Sequence, residues 1–538
     1  MKRPVSQLPG TSRLVADYFD HFDRVAEFYS GDYRDPKNLL GRAGQIKSRD
    51  LPLGRLAPIL KEQNQRFGCG SQTLAKIDWL LDRNACAVVT GQQTGLFAGP
   101  LFTIYKALTA IKFADRLSRN CEGCYVPMFW LASDDHDFRE ANHIVIPNRT
   151  NEPVEIAYEA HPTDSRIPVS EIRLTDAISQ LLEQLDEHTH PSEFKADVLA
   201  QLADAYQPGT GFAAAFGSWL TTLFKPFGLI LIDASDPRMK TLGRPVFEKE
   251  ISGQSPSTTA ALLASKTLGK EYHAQVQVHP NRLNLFYVDK GRHAIEFSDG
   301  SFSIKDSGRT FSEHELLTEL EQHPERFSPN VLLRPLYQDA LLPTIAYVAG
   351  PAESAYYAQM KGIYAHFEIP MPVIFPRKSL TLLENKIEKV LDTYNLKVPD
   401  FWGNVDSVIS RIAQEQLPES LEQQVADAAR KVNENLETLG KIVAQFEPTL
   451  ISTVEKTRGK MSGQIDMLSK KIVQAYKKRN EVIGRQIYKA KNSLYPNNHL
   501  QERGLNIVPY LIKHGFGFID QLHEAIDISH FDHQIIRI

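Results

Sequence analysis

The chain has 538 residues, 42% hydrophobic and 23% charged, ample for several globular domains with sizeable cores. Its formal net charge of −4 argues against the basic face of a general nucleic-acid binder, so no nucleic acid is expected as a partner. No apolar run approaches the roughly 20 residues of a membrane span, and the opening MKRPVSQLPGTSRL lacks the apolar stretch of a secretory leader. Four cysteines (Cys69, Cys86, Cys121, Cys124) are too few for a disulfide scaffold, so the expected location is the reducing cytoplasm, away from membranes.

Residues 1–85 read as helices, with apolar residues at three- and four-residue spacing over Ser12 to Tyr29, Leu56 to Phe67 and Ser71 to Asp82. Five short apolar runs follow: Ala87–Val89, Tyr125–Leu131, Leu229–Ile232, Thr344–Val348 and Pro372–Phe375. They lack alternation, as parallel strands covered on both faces do. Pro127 cannot donate to a ladder, so pairing of the second run is expected to begin just after it. Helical patterns between the runs predict βα units in an α/β, doubly wound parallel sheet. Ligands of such sheets bind beyond the carboxyl ends of the strands, where the strand order reverses. All five runs end in charged, glycine or amide residues at that edge.

Two excursions interrupt the sheet. The first opens with the strand-like HIVIP and VEIAYEA before turning helical. The second carries a hairpin pattern at Gln275–Val278, Leu285–Val288, Ala294–Phe297 and Ser301–Ile304, with Lys290-Gly291 and Asp299-Gly300 as turns. The expected organisation is a sheet domain in three parts (residues 1–138, 228–236 and 331–379), insertions at 139–227 and 237–330, a helical arm at 380–493, and a segment 494–538 packing back on the core. In the arm, a helix over Leu380–Tyr394 precedes apolar stripes from Leu421 to Phe446 and from Leu450 through Tyr476 to Ile483. That spacing predicts an antiparallel coiled coil whose second helix, Thr449 to Asn492, would be about 65 Å long, with a dimer contact along it.

The candidate chemistry sits at the strand ends. Gly91, Gln92, Gln93, Thr94 and Gly95 form a polar turn, and Gly99-Pro100 then opens a helix carrying Tyr105 and Lys106. A strand, a Gly-rich turn and a helix N-terminus suit an anion, although the turn matches neither the dinucleotide fingerprint nor the Walker A loop and also reads as an ordinary βα turn. Asp134-Asp135-His136-Asp137 crowds three carboxylates and an imidazole. It reads as a Mg²⁺ site for nucleotide phosphate, as acid–base chemistry at His136, or equally as a helix N-cap. Asn330, Arg334 and Gln338 stand in an apolar stretch, where Arg334 suggests a carboxylate or phosphate clamp or a structural ion pair. Gly350, Glu353 and Tyr356 belong to a second Gly-Pro turn, and Arg377-Lys378-Ser379 puts two cations at the last strand end. Cys121 and Cys124 form a C-x-x-C placed before a strand, where neither a redox nor a zinc role is expected.

Five ordered motifs, TGQQTGLFAGPLFTIYKA, PMFWLASDDHDFREANH, SPNVLLRPLYQDALLPTIAYVAGPAESAYYAQ, PRKSLTLLE and LYPNNHLQERGLNIVPYL, carry a family resemblance along essentially the whole chain. The sequence resembles the cysteine-adding enzymes of bacillithiol biosynthesis, the BshC family of cysteine ligases. The resemblance implies a Rossmann-like core with connecting-peptide insertions and a coiled-coil domain that mediates a homodimer. It also implies the last step of bacillithiol synthesis, joining the carboxyl of L-cysteine to the amine of glucosaminyl-malate. Amide formation from a carboxylate and an amine is uphill in water, so ATP (released as ADP or AMP) is the expected activator, with Mg²⁺ as its candidate companion ion. On this reading the TGQQTG turn and Arg377-Lys378-Ser379 face a nucleotide or activated cysteine. Asp134 and Asp135 take a metal or the amine, His136 the proton, and Arg334 a malate or cysteine carboxylate. Tyr495, Asn497, Gln501 and Arg503 are candidates for a second nucleotide pocket near the base of the arm. The competing expectations are a nucleotidyl- or phosphoryl-transferase of the same fold and a non-catalytic dimeric scaffold.

Overall fold

A continuous apolar run can lie in a sheet only if both faces are covered, and the five runs do so in one parallel sheet. The computed structural model describes residues 2–162, 166–415 and 421–538. Side chains at 2, 413–415, 421, 422 and 473–480 fall outside the described set, and with them Leu421 and Tyr476 of the predicted stripe. The chain forms two compact units, one reaching to Leu382 and including His499–Ile536, the other Leu383–Asn498 with Arg537–Ile538.

In the first unit the strands are β1 (Cys86–Gln92), β2 (Tyr125–Leu131), β3 (Ile230–Asp233), β4 (Thr344–Ala349) and β5 (Val373–Pro376). Their order is β5-β4-β1-β2-β3, all parallel. The chain moves outward from β1 to β3, then crosses back to β4 on the other side of β1. The reversal between β1 and β4 opens a crevice at their carboxyl ends. Helix α1 (Leu101–Asn120) follows β1, α2 (Pro237–Ser252) follows β3, α3 (Arg334–Leu341) precedes β4 and α4 (Pro351–Tyr357) follows it.

Strand β1 runs further than expected, through Thr90, Gly91 and Gln92. Thr90 satisfies its hydroxyl on the Val348 carbonyl at 2.9 Å, so polarity does not expel it from the sheet. Gly91 admits the neighbouring strand, because a Cβ there would stand 2.8 Å from the Trp130 carbonyl oxygen. Pairing of β2 with β1 also starts before Pro127, at Tyr125 opposite Cys86, whereas pairing with β3 starts at Met128. The Cys124 carbonyl faces β1, so by alternation the missing donor of Pro127 faces the side where β3 has not begun.

Between β1 and α1, Phe97, Ala98 and Gly99 all take positive φ (47°, 74° and 65°). Such a run is costly for residues with a Cβ and persists only where the surroundings over-determine it. Asn506, fully buried, supplies that constraint by donating to the carbonyls of Phe97 (3.0 Å) and Gly99 (2.6 Å). The C-terminal segment thereby sets the angle at which α1 enters.

The first insertion pairs His143–Pro147 with Pro153–Ala157. The second builds an antiparallel sheet, in the order Thr310–Ser312, Ser301–Ile304, Arg292–Ser298, Arg282–Val288 and Phe327–Pro329. Both expected turns have positive φ at their two residues. The expected strand over 275–278 is absent; Val276 instead bonds through its N–H to the Gln359 side chain. The expected helix over 380–394 begins as a strand, Leu380–Leu383, in a sheet with His533–Arg537, and becomes helical only at Asn385–Thr393.

The second unit holds α5 (Leu421–Phe446) and α6 (Ile451–Leu494), joined at Pro448. They run antiparallel, since Asn433 accepts from Ser462 and Gly440 faces Val454. At 44 residues α6 is about 66 Å long. Apolar side chains remain open to solvent on this pair, among them Ile442 (60%), Leu468 (55%) and Phe446 (90%). Among the described residues, no helix is long and apolar enough to cross a membrane.

Candidate active site

The crevice between β1 and β4 is a cleft of about 470 Å³. Its floor is the end of β1 (Gly91, Gln92, Gln93) and Trp130 of β2; Phe102 and Lys106 of α1 form one wall. Arg334, Tyr347, Gly350, Glu353 and Tyr356 form the other, and Arg377 and Arg503 close it.

Lys106 is buried and fully engaged. Its Nζ donates to the Gly91 carbonyl (2.6 Å) and to Gln92 Oε1 (3.0 Å), and pairs with Glu353 at 2.5 Å. Burial lowers its pKa, and Glu353 opposes that loss of charge. Glu353 also accepts from the Gly350 N–H and the Tyr347 hydroxyl, both at 2.7 Å, so the second Gly-Pro turn is tied to the first.

Arg377 is equally compensated. Glu502 receives it through two bonds, at 2.7 and 3.1 Å, and takes Ser379 Oγ and the Leu380 N–H as well. Burial pushes the Glu502 carboxyl up, but Arg377 and these hydrogen bonds overcome it and hold the pKa at about 2. Arg377 Nε is buried without a hydrogen-bond partner, although the residue lines the cleft. Its neighbours turn away, Lys378 to the His530 carbonyl (2.7 Å) and Ser379 to Glu502 and His533. Of the three residues expected at this strand end, only Arg377 lines the cleft.

Arg334 differs. Its guanidinium donates to Gln338 Oε1 (3.0 Å) and to the Tyr356 hydroxyl (3.2 Å), and its Cζ lies 5.6 Å from the centroid of the Tyr347 ring. It forms no ion pair among the described residues. Asn330 does not line the cleft; its Oδ1 takes the N–H groups of Leu332 and Leu333, capping the turn before α3. Gln338 lies behind Arg334, fully buried. Arg503 is exposed at the rim.

The acidic loop is not an open cation cage. Asp134 pairs with the buried Lys240 of α2. Asp135 accepts from Gln93 Nε2, from Arg292 Nη1 (3.1 Å) and from the His136 N–H (2.7 Å). Asp137 caps the turn Phe138–Ala141 by accepting from the Glu140 N–H at 3.4 Å. The carboxylates expected to hold Mg²⁺ are therefore committed to protein cations or to a cap. Among the described residues, no three His, Cys, Asp or Glu side chains are grouped to hold a metal. Of the four loop residues only Asp135 lines the cleft, with Glu140 nearby. His136 Nδ1 lies 3.1 Å from Arg292 Nη1. A guanidinium only donates, so this ring nitrogen accepts, and the neutral imidazole carries its proton on Nε2. Burial, then Arg292, lowers the His136 pKa.

Thr94, Gly95, Gly99 and Tyr105 are buried in support of the turn and do not line the cleft. Tyr495 and Asn497 belong to the second unit, whereas Gln501 brackets the backbone of Leu382 with both ends of its amide, completing a strand edge. Arg503 lines the cleft already described. Lys240, Arg292, Trp130 and Tyr347 were not singled out in the sequence. The first two sit in no local motif, and the aromatics read as plain strand core.

The family model for the bacillithiol biosynthesis BshC N-terminal Rossmann-like domain matches residues 1–378. The model for the BshC C-terminal coiled-coil domain matches residues 380–538. The chain belongs to the BshC family. Curated relatives carry the name "Putative cysteine ligase BshC". That of Salinibacter ruber is 37% identical, covering 100% of this chain and 98% of its own. That of Koribacter versatilis is 33% identical over 99% of each. That of Chloroherpeton thalassium is 33% identical, covering 95% and 93%. The BshC family models and the fold agree on a Rossmann-like parallel sheet followed by a coiled-coil domain.

Proposed function

We propose that the cleft between β1 and β4 joins the carboxyl of L-cysteine to the amine of glucosaminyl-malate, with ATP as the activating substrate. The observation that carries this reading is Arg334, a cleft cation with no carboxylate partner of its own. A substrate carboxylate satisfies it with charge-assisted bonds. Asp135, oriented by Gln93 and Arg292, receives the acceptor amine as an ammonium on this reading, before the amine loses its proton. His136 does not line the cleft; its accepting Nδ1 holds Arg292, which in turn reaches Asp135, so its part is to orient that pair. The rim Arg503 is suited to nucleotide phosphate. In the reaction a cysteine carboxylate oxygen displaces pyrophosphate or ADP from ATP. The amine nitrogen then attacks the activated carbonyl, losing a proton and expelling AMP or phosphate. Among the described residues no dedicated Mg²⁺ cage is formed; a magnesium ion would arrive on the nucleotide phosphates. The open apolar side chains of the arm favour a second copy of this chain as its partner.

The test is a reconstituted reaction with L-cysteine, glucosaminyl-malate, ATP and Mg²⁺, followed by mass spectrometry and phosphate or pyrophosphate assay. The expected result is the amide product with cysteine-dependent nucleotide cleavage. Binding of glucosaminyl-malate without any nucleotide turnover would mean that the activated donor is made elsewhere.

A further inference from the structure

Among the described residues four cations line the cleft; Arg503 stands exposed at the rim, and of the three in the walls two are cancelled. Lys106 has Glu353 and Arg377 has Glu502, yet Arg334 has only neutral partners. Behind it stands Gln338, four residues on and on the same face of α3. A glutamate at that position would hold the guanidinium equally well and would neutralise it. Glutamine holds it without doing so, provided that its amide oxygen faces outward. That orientation is set from behind. Gln338 Nε2 donates to Asp339 Oδ1 at 2.8 Å, and Asp339 Oδ2 takes the Tyr364 hydroxyl at 2.6 Å. Asp339 is buried, and as an acceptor it admits only the NH₂ end of the amide. Gln338 Oε1 is therefore left for Arg334 Nη1.

We infer that Gln338 is a positioning residue, its amide polarity fixed by Asp339, that locks Arg334 in place while keeping it out of a direct ion pair, the Asp339 carboxylate standing one hydrogen bond behind, so that its outer face is left for a carboxylate ligand. This deepens the cleft reading proposed above and rests on it. The arrangement Tyr364–Asp339–Gln338–Arg334 runs from core to cleft, and each member has its partner before any ligand arrives. Holding the guanidinium beforehand spares the ligand the ordering of a long side chain.

Two variants separate geometry from charge. Gln338→Met removes the acceptor and adds no charge. The double variant Gln338→Glu with Asp339→Asn keeps an acceptor for Arg334, a donor behind it and the same net charge, but moves the carboxylate from one hydrogen bond behind Arg334 into direct contact with it. The probe is L-malate, titrated calorimetrically, with a crystal structure of each variant and KM and kcat for glucosaminyl-malate. For Gln338→Met we expect a displaced Arg334, about 10-fold weaker L-malate binding, and a raised KM at little-changed kcat. For the double variant we expect Arg334 in place and about 100-fold weaker binding. Wild-type affinity in Gln338→Met with Arg334 unmoved would overturn the positioning role, and wild-type affinity in the double variant would overturn the charge argument. If the wild-type protein binds no L-malate, the cleft reading fails instead. The position of Arg334 in the Gln338→Met crystal structure then still decides the positioning role.

Discussion

His136 and Arg292 meet at 3.1 Å, and the donor-only guanidinium dictates which form of the ring can stay there. Burial and this cation both disfavour the imidazolium, so the folded pKa lies below the ordinary 6.5. The contribution of His136 to stability is thus complete above that value and is lost as pH falls through the lower folded pKa. Nitrogen-15 imidazole spectra of the protein are expected to show the Nε2–H tautomer, with a titration midpoint below 6.5. In Arg292→Gln, Asp135 is left as the nearer charge and the midpoint is expected to rise. Titration of the wild-type ring at or above 6.5 would refute this arrangement. Individual site residues were legible unevenly. Gln93 and Arg377 stood out because polar groups follow apolar strands at the edge where such sheets bind ligands, and Arg334 because it is a cation in an apolar stretch. Lys240 and Arg292 did not, because their partners Asp134 and Asp135 lie 106 and 157 residues away in sequence. No local pattern encodes such a pairing.

At the scale of elements, β1 depends on one glycine. Gly91→Ala puts a methyl group against the Trp130 carbonyl at 2.8 Å, and the strands must part. The expected loss is about 1–3 kcal/mol, read from chemical denaturation, together with weakened ligand binding. Unchanged stability would show that β2 yields there without cost. The C-terminal strand carries a second prediction. His533 is buried between Ser379 Oγ (2.8 Å) and Thr381 Oγ1 (2.9 Å), and burial pushes its pKa down to about 4. A depressed histidine gives full stability above its unfolded pKa of 6.5 and loses it as pH falls towards 4, here about 3 kcal/mol. Glu502 adds its own loss lower, from 4.5 down towards 2. Denaturation midpoints should fall between pH 6.5 and 4 in the wild type, and that part of the slope should vanish in His533→Gln. An identical slope in both would remove His533 as its source. The apolar runs revealed all five core strands, and the three- and four-residue spacing revealed the arm. Periodicity could not reveal that LTLL at Leu380–Leu383 is extended, because its neighbour in the sheet comes from the far end of the chain.

At the scale of the whole molecule, the sheet unit and the arm unit ask different questions of experiment. Ile442 and Phe446 are solvent-open apolar residues on the arm, and a second copy is their expected cover. Light scattering of the wild type is expected to give a dimer, and Ile442→Asp with Phe446→Asp a monomer. A monomeric wild type would dismiss the arm as a self-association surface. The sheet unit carries the central claim, that substrate carboxylate is recognised where the strand order reverses. The deciding measurement is calorimetric titration of glucosaminyl-malate into the wild type and into Arg334→Ala. An affinity about 10–100-fold weaker in Arg334→Ala is expected from the loss of a charge-assisted contact. Equal affinity in the two proteins would place the ligand outside this cleft and contradict the function proposed for it.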